Sequence, residues 1–293
     1  MIAIATPLNG SIATDSWQWQ DRTITITYET LGSGQPVLLL PAFSTVSSRT
    51  ELTTLAKCLA SQYQVTVLDW PGFGDSDRLR LAYQPAFYQQ CLKDFVTKHF
   101  PDPVTVIATG HAAGYALAIP DAWSKIVLVA PTWKGPLAVM GAPKNLRSGV
   151  RELVRSYLIG PFLYWLNTRP SFLKWMYRRH VFVDETKLTP DYIAQRHQGT
   201  QKAGARYAPA AFVTGGLDPV QTRDEFLAYF ESLSIPVMVV VGENAPPSSK
   251  TEMETMAALS QVQSVSLPGT LGMAEEYGEA VADAVLPFLK SLT

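Results

Sequence analysis

The segment VIATGHAAGYALAI, from Val106 to Ile119, has the residue pattern of a strand, a sharp turn and a helix. A strained turn of this kind can hold a serine hydroxyl at its apex as a nucleophile, in the pattern G-x-S-x-G. In the run GHAAG, the apex position is Ala112, whose methyl group cannot attack a carbonyl carbon. The segment therefore predicts a nucleophile turn that has no nucleophile.

Three other side chains near this turn could act on a ligand. Ser44, in PAFSTVSSR, is either a replacement nucleophile or a residue that caps a turn or hydrogen-bonds a ligand. Arg49 either clamps a carboxylate or phosphate or pairs with a nearby aspartate. His111 either packs behind the turn or acts as a base. The predicted ligand pocket comprises Ala42, Phe43, Ser44, Arg49, His111, Ala112 and Ala113.

The sequence contains no recognised motif for binding a metal ion or a cofactor. The four histidines and two cysteines lack metal-ligand spacing. The short GSG and GFG runs lack the strand and helix context of a dinucleotide fingerprint, and there is no phosphate-binding G-x-x-x-x-G-K-[ST] loop. We therefore expect no metal and no cofactor.

The elements that must position these residues alternate between strands and helices. Buried strands are predicted at PVLLLPAF, VTVLDW, VTVIAT, KIVLVAPT and PVMVVV, with helical patterns in most of the intervals. This order predicts an α/β fold with a mostly parallel, doubly wound sheet. Residues 134–233 have few strand-like runs and several helical ones, so they are predicted to form a helical cap inserted into a core made of residues 1–133 and 234–293.

The cap sequence is basic and aromatic. From Lys144 to Arg179 it carries eight lysines and arginines against the single acid Glu152, interleaved with large apolar residues. Either the aromatic rings pack on the core while the arginines stay solvated, or the segment lies on an anionic membrane or holds an amphiphile with an acidic head. The predicted membrane or partner surface comprises Arg147, Arg151, Arg155, Lys174, Arg178 and Arg179.

Five landmarks, in this order, resemble the α/β-hydrolase fold along essentially the whole chain. They are the oxyanion-loop region LLLPAF, the loop VLDWPGFGDSD, the elbow GHAAG, the acid loop PVMVVVGENAPP, and the histidine loop with its last helix in SLPGTLGMAEEYGEAVADAVLPFL. The resemblance implies a nucleophilic serine, an acid and a histidine at three of these landmarks.

All three implied positions are vacant. The serine position is Ala112, the acid would fall at Asn244 or Ala245, and the histidine would fall between Leu271 and Ala274. We assign the vacated positions to Ala112, Ala245 and Ala274, and no histidine follows His197 in the chain. Serine-hydrolase chemistry is therefore not expected.

Composition narrows the remaining classes. The chain has 293 residues, 47% hydrophobic and 17% charged, with a net charge of −1, so nucleic acid is not an expected partner. The N-terminal stretch lacks a secretory pattern, and no apolar run approaches membrane-spanning length. We expect a cytoplasmic protein with a possible peripheral contact to anionic membrane.

The functional expectation has one preferred form and two alternatives. The preferred form is a non-catalytic binding or scaffold module for an apolar or amphipathic small molecule or a partner protein. One alternative is a hydrolase or lyase that uses the same pocket without a triad. The other is a membrane-peripheral assembly factor that docks through the basic cap.

Overall fold

One eight-stranded sheet forms the centre of the computed structural model, which describes residues 7–291. Residues 1–6, which begin the N-terminal stretch without a secretory pattern, lie outside the described residues. The strands are β1 (Ser11–Trp19), β2 (Arg22–Leu31), β3 (Pro36–Leu40), β4 (Gln64–Leu68), β5 (Val104–Thr109), β6 (Trp123–Val129), β7 (Val237–Gly242) and β8 (Val262–Leu267). Their order across the sheet is β1-β2-β4-β3-β5-β6-β7-β8.

The sheet is parallel except at one edge, where β1 pairs antiparallel with β2 and β2 pairs antiparallel with β4. The inner strands β3 to β7 are short apolar runs with nearly every residue buried, as expected when helices cover both faces. Since the parallel strands end at a common edge, the loops after β3, β5, β7 and β8 meet there.

The helices are α1 (Thr53–Leu59), α2 (Pro85–His99), α3 (Ala112–Leu117), α4 (Pro136–Val139), α5 (Lys144–Arg155), α6 (Gly160–Thr168), α7 (Pro170–His180), α8 (Pro190–Thr200), α9 (Tyr207–Val213), α10 (Arg223–Glu231), α11 (Pro247–Ala257), α12 (Met273–Glu276) and α13 (Gly278–Lys290). The mostly parallel sheet with flanking helices confirms the predicted α/β fold. Strand β1 was not predicted, because its sequence is polar and only Asp15 and Trp17 in it are buried.

The segment between β6 and β7 is helical, as predicted, and its two ends pack differently. Leu173 and Tyr177 of α7 join Tyr192 and Ile193 of α8 in a small apolar cluster of their own. Helices α9 and α10 instead contribute residues such as Tyr207 and Phe226 to the main core. The part of the insertion with a separate core therefore lies before α9. Among residues 7–291, no helix combines the length and apolar character needed to cross a bilayer.

A buried ion network holds the loop after β4. The Asp69 carboxylate accepts hydrogen bonds from the Arg49 backbone N–H at 2.6 Å and the Asp75 N–H at 2.8 Å, and it pairs with the Arg49 guanidinium. Arg49 also bonds Glu29 of β2 at 3.0 Å and Asp75 at 2.7 Å. Burial by itself would lower the pKa of Arg49, but Asp69, Asp75 and Glu29 raise it, so the arginine is charged at every ordinary pH.

Gly74 makes this network possible, which gives a test by substitution. Its φ is +51°, and a Cβ there would lie 2.0 Å from the Asp69 carboxyl carbon. We expect Gly74→Ala to lower the free energy of unfolding by about 2–4 kcal/mol, measured by urea denaturation. Gly149→Ala is the matched control: it lies inside α5 with nothing within 4 Å, so it should raise stability by about 0.5–1 kcal/mol. Equal effects of the two changes would contradict this account of the loop.

Candidate active site

The strand-to-helix turn after β5 has its apex at Gly110. Gly110 has a φ of +51°, whereas His111 has a φ of −70° and Ala112 is already the first residue of α3. The sequence pattern predicts the apex at Ala112, but the residue with the left-handed backbone is Gly110, two positions earlier. The shift has a physical reason, because β5 ends at Thr109 and glycine adopts a positive φ at little cost. The strand boundary was the signal in the sequence that pointed to Gly110.

The space above this apex is occupied. A Cβ built on Gly110 would lie 2.9 Å from the Cβ of Ala42, closer than two carbon atoms normally approach. Ala42 follows β3 and is half-buried, while Ala112 and Ala113 are fully buried below the turn. A side chain at the apex would therefore require Ala42 to move, in addition to adopting a strained φ.

Phe43 fills the volume next to Ala42. Its ring stacks on Trp70 at 5.0 Å between centroids and meets Tyr88 at 4.9 Å and Tyr115 at 5.3 Å. Phe43 is buried, and its neighbours Trp70, Tyr88 and Tyr115 are fully buried. The predicted ligand-pocket residue Phe43 is thus a core residue that seals one side of the elbow.

His111 is buried and neutral. Its Nε2 donates a hydrogen bond to the carbonyl oxygen of Leu217 at 2.9 Å, and the Tyr115 hydroxyl donates to the same oxygen at 2.7 Å. Burial lowers the pKa of His111 to about 4. Its Nδ1 is enclosed without a hydrogen-bond partner among the described residues. The ring therefore packs behind the turn, and the contact between Nε2 and Asp218 Oδ1 is long, at 3.6 Å.

Asp218 takes part in a separate set of contacts. It accepts a hydrogen bond from the backbone N–H of Gly135 at 2.7 Å and lies 3.9 Å from Arg147. Burial raises the pKa of Asp218 to about 6, against the opposing effects of Gly135 and Arg147. Asp218 is therefore a buried acid next to a neutral histidine. Within residues 7–291, no hydrogen bond joins either of them to Ser44.

Ser44 and Arg49 are occupied locally. The Ser44 hydroxyl accepts a hydrogen bond from the Val46 backbone N–H at 3.1 Å, which is the turn-capping alternative of the sequence analysis. Within residues 7–291, no histidine or carboxylate is hydrogen-bonded to Ser44. Arg49 is buried in the ion network with Asp69, so of its two alternatives the structure shows the pairing with aspartate.

The loops after β7 and β8 meet, and neither of them contains a histidine. The Glu243 N–H donates to Leu267 O at 2.9 Å, and the Asn244 N–H donates to Gly269 O at 3.0 Å. Ala245 and Ala274 are buried, whereas Glu243, the carboxylate of the first loop, is exposed. Ala245 thus lies on the loop after β7, and Ala274 lies in the short helix α12 that follows β8.

The cap is fastened to the loop after β8 by two carboxylates. Glu275 pairs with Arg196 of α8 and accepts a hydrogen bond from the Tyr192 hydroxyl at 2.6 Å. Glu276 accepts from the backbone N–H groups of Val183 at 2.8 Å and Asp184 at 2.7 Å. Burial raises the pKa of Glu275, although Arg196 opposes the shift. The role of Arg196 was not visible in the sequence, because its partners lie far along the chain.

The six predicted surface residues separate into two groups. Lys174, Arg178 and Arg179 are exposed on α7. The other three repeat every fourth residue along one face of α5, its inner face: Arg147, Arg151 and Arg155. They are only partly exposed, whereas the sequence predicted an open surface. The reason is that glycines at the turn after α9 leave room for their guanidinium groups: a Cβ on Gly216 would lie 2.2 Å from Arg151 Nη1.

Two cavities lie beside this inner face rather than at the elbow. The larger has a volume of about 320 Å³ between α5, the segment leading into α2, and α9, and the smaller has about 150 Å³. None of the seven predicted ligand-pocket residues lines either cavity. Residues 7–291 contain no group of three or more histidines, cysteines, aspartates or glutamates placed to hold a metal ion.

The outer face of the cap exposes large apolar side chains. Apart from Ile12, the exposed large hydrophobic residues of the described chain lie between Val139 and Val183. Leu158 is 84% exposed, Tyr157 76% and Phe162 58%, and Trp165 and Trp175 are about half exposed. Large contiguous apolar patches are uncommon on the surface of a protein that contacts only water, and this segment concentrates the exposed apolar side chains of the described residues.

Comparison with known proteins agrees with this architecture. The model of the family described as "Alpha/beta hydrolase family" matches residues 37–284. Similar solved structures include a bromoperoxidase from Bacillus anthracis (TM-score 0.74, 18% identity, 96% of this chain and 100% of that chain). They also include a thermophilic esterase from Thermogutta terrifontis (TM-score 0.73, 23% identity, 96% of this chain and 98% of that chain). A third is Cfl2 from Burkholderia cenocepacia (TM-score 0.73, 17% identity, 97% of each chain). At these identities, the TM-scores show a shared fold and no more. No curated protein matches the sequence.

The buried histidine gives a pH-dependent prediction. The unfolded chain protonates His111 near pH 6.5, but the folded protein does so only near pH 4, so this residue contributes stability above pH 6.5 that is lost on acidification. Asp218 acts oppositely, because its raised pKa favours folding as pH falls from about 6. Comparison with His111→Gln isolates the histidine. We expect the stability of the wild type relative to this variant to fall by about 2 kcal/mol between pH 7 and 5 in urea denaturation. A difference that is independent of pH would contradict the neutral, buried state of His111.

Proposed function

The chain belongs to the alpha/beta hydrolase family. We propose that it is a member of this family that lacks serine-hydrolase activity and works by binding. The observation that carries this proposal is the packing at the elbow. Gly110 lies at the apex, and the Cβ of Ala42 takes the space that a nucleophilic side chain there would need. Both the residue type at the apex and the packing around it support a turn without a nucleophile.

The other two catalytic roles support the same proposal. Hydrolysis through an acyl-enzyme requires a base that accepts the proton of the nucleophile and an acid that orients the base. At the sheet edge, the corresponding loops carry Ala245 and Ala274, and the nearby His111 is neutral and hydrogen-bonded to a backbone carbonyl. Loss of one member of a triad lowers the rate by several orders of magnitude. The residue types at the three implied positions, Ala112, Ala245 and Ala274, therefore support a member without this activity.

The similar structures carry names of active enzymes, such as a bromoperoxidase and an esterase. Those names describe the neighbours, and their identity to this chain is low enough that only the fold carries over. Function depends on the residues of the site, and the site of this chain differs from what a nucleophile-dependent reaction needs. We therefore infer a binding or scaffold role toward an apolar or amphipathic small molecule or a partner protein.

A panel of p-nitrophenyl esters from short to long acyl chains tests the non-catalytic proposal. We expect no hydrolysis above buffer and no labelling by fluorophosphonates, because no hydroxyl at the elbow is paired with a base. Gly110→Ser should not create esterase activity, and it should lower stability because of the contact with Ala42.

Ser44→Ala is the control for the remaining alternative. Hydrolysis by the wild type that disappears in Ser44→Ala would overturn the non-catalytic proposal and identify Ser44 as the nucleophile of a hydrolase without a triad. Hydrolysis that persists in this variant would overturn the proposal as well, and would direct attention to bound water.

Peripheral membrane docking is a second candidate function, favoured by the outer face of the cap. Trp165 and Trp175 are about half exposed, and Arg169 lies over the Trp165 ring at 5.3 Å. The helix that carries Trp175, α7, also exposes three basic side chains, those of Lys174, Arg178 and Arg179. Aromatic side chains beside basic ones suit the interface of an anionic bilayer.

Vesicle sedimentation tests this second candidate. We expect binding to vesicles that contain phosphatidylglycerol, loss of that binding at high salt, and about tenfold weaker binding after Trp165→Ala or Trp175→Ala. Ile12→Ala is the matched control, because Ile12 is 62% exposed but belongs to β1, outside the cap. Equal binding to neutral vesicles would refute the contribution of charge, and absence of binding would refute the docking itself.

A further inference from the structure

We propose that the cleft between the inner face of α5 and the start of α2 binds the anionic head group, a carboxylate or phosphate, of a small molecule with an apolar body. The inference rests on the proposed binding function, because it names the class of ligand. It is independent of the elbow in structure, since no residue of the turn at Gly110 lines the cleft.

The cleft has the size of a small-molecule site. Its volume is about 320 Å³, and pockets for such ligands range from roughly 300 to 1,000 Å³. Arg151 and Arg155 line one wall, and Tyr83 and Tyr207 lie on the opposite elements. The smaller cavity of about 150 Å³ shares Arg155 with the cleft and adds the exposed Arg80.

Positive charge exceeds negative charge along these walls. Glu152 is the acid that lines both cavities, and it is 62% exposed and bonded to Arg155 Nη1 at 2.7 Å. No hydrogen bond or ion pair joins the Arg151 guanidinium to another residue in the described part of the chain. The cleft therefore holds guanidinium donors that the protein itself does not satisfy.

One of these donors is enclosed. Arg155 Nε is buried and has no hydrogen-bond partner among residues 7–291. An enclosed N–H without a partner is costly, and charged hydrogen bonds to carboxylate or phosphate oxygens are the strongest that arginine makes. A ligand anion in the cleft would bond the Arg151 guanidinium, and the charge of Arg155 beside it would add to the attraction.

The turn after α9 sets the position of Arg151. The guanidinium lies against Gly216, where a Cβ would approach its Nη1 to 2.2 Å. The preceding Gly215 seats Arg147 in the same way, with a Cβ-to-Nη1 distance of 2.3 Å. Because two adjacent glycines receive two arginines of one helix face, the donors are placed before any ligand arrives, which reduces the entropy cost of binding.

The remaining walls suit an apolar body beside the charged head. Leu81, Tyr83 and Ala211 give carbon surface to the cleft, and Tyr83 is buried. Gln84 and Pro85 bring the N-terminal end of the fifteen-residue helix α2 to the same place. The positive end of that helix dipole adds to the attraction for an anion.

Calorimetric titration of the full chain with phenyl phosphate, benzoate and the neutral benzyl alcohol tests the proposal. We expect the wild type to bind at least one of the two anions and not the alcohol. Arg151→Gln should weaken anion binding by about tenfold or more, and Gly216→Ala should weaken it similarly by displacing the guanidinium, with the fold checked by circular dichroism. Arg223→Gln is the matched control, since it removes the same charge from α10, where Arg223 is exposed and pairs with Glu252 at 3.0 Å outside the cleft, and it should leave the affinity unchanged.

The comparison of phenyl phosphate with benzoate identifies the head group, and vesicles containing phosphatidic acid identify its source. Weaker vesicle binding by Arg151→Gln would support a lipid head group, and unchanged vesicle binding would support a free molecule. No binding of either anion, or equal binding by wild type and Arg151→Gln, would overturn the proposal. That failure would leave the vacant elbow intact, whereas ester hydrolysis would refute the non-catalytic function without affecting the cleft.

Discussion

The buried ion network around Arg49 is the constraint on which the geometry of the elbow depends. Arg49 connects Glu29 of β2 with Asp69 and Asp75 of the loop after β4. Two residues before Arg49, the loop after β3 holds Ser47, whose hydroxyl donates to the Ala42 carbonyl. The Gly74 N–H donates to Ser47 O at 3.1 Å. Charges this deeply buried are tolerated only when every partner is in place, so the loop that carries Ala42 is held firmly over Gly110.

This rigidity decides what the usual reactive edge of the sheet can do. The parallel strands bring the loops after β3, β5, β7 and β8 to one edge, where open α/β sheets bind ligands. In this chain the edge is packed with Ala42, Phe43 and the neutral His111, and the cap is clamped to the loop after β8 through Glu275 and Glu276. These contacts hold the cap against the residues that follow β8 and fill the space next to Gly110.

The cap presents two chemically different faces. Its outer face exposes Trp165, Trp175 and other apolar side chains, whereas the inner face of α5 directs Arg151 and Arg155 toward a cleft. On α5, Arg151 and Arg155 line the cleft, whereas Lys144 is exposed, as are Lys174, Arg178 and Arg179 of α7.

Much of the architecture was predictable because its determinants are local. Short buried runs specify the inner strands, and alternation with helical patterns specifies a parallel sheet, while the polar strand β1 escaped because only its pairing with β2 makes it a strand. The residue types at the three positions that the resemblance implies, with Ala112, Ala245 and Ala274 in place of a serine, an acid and a histidine, were equally readable from the sequence alone. Tertiary structure was needed to place the apex at Gly110, to show Ala42 filling the space above it, and to turn three arginines of α5 inward. Those outcomes depend on contacts between residues far apart in the chain, such as Arg151 with Gly216 and Gly110 with Ala42, which no local pattern encodes.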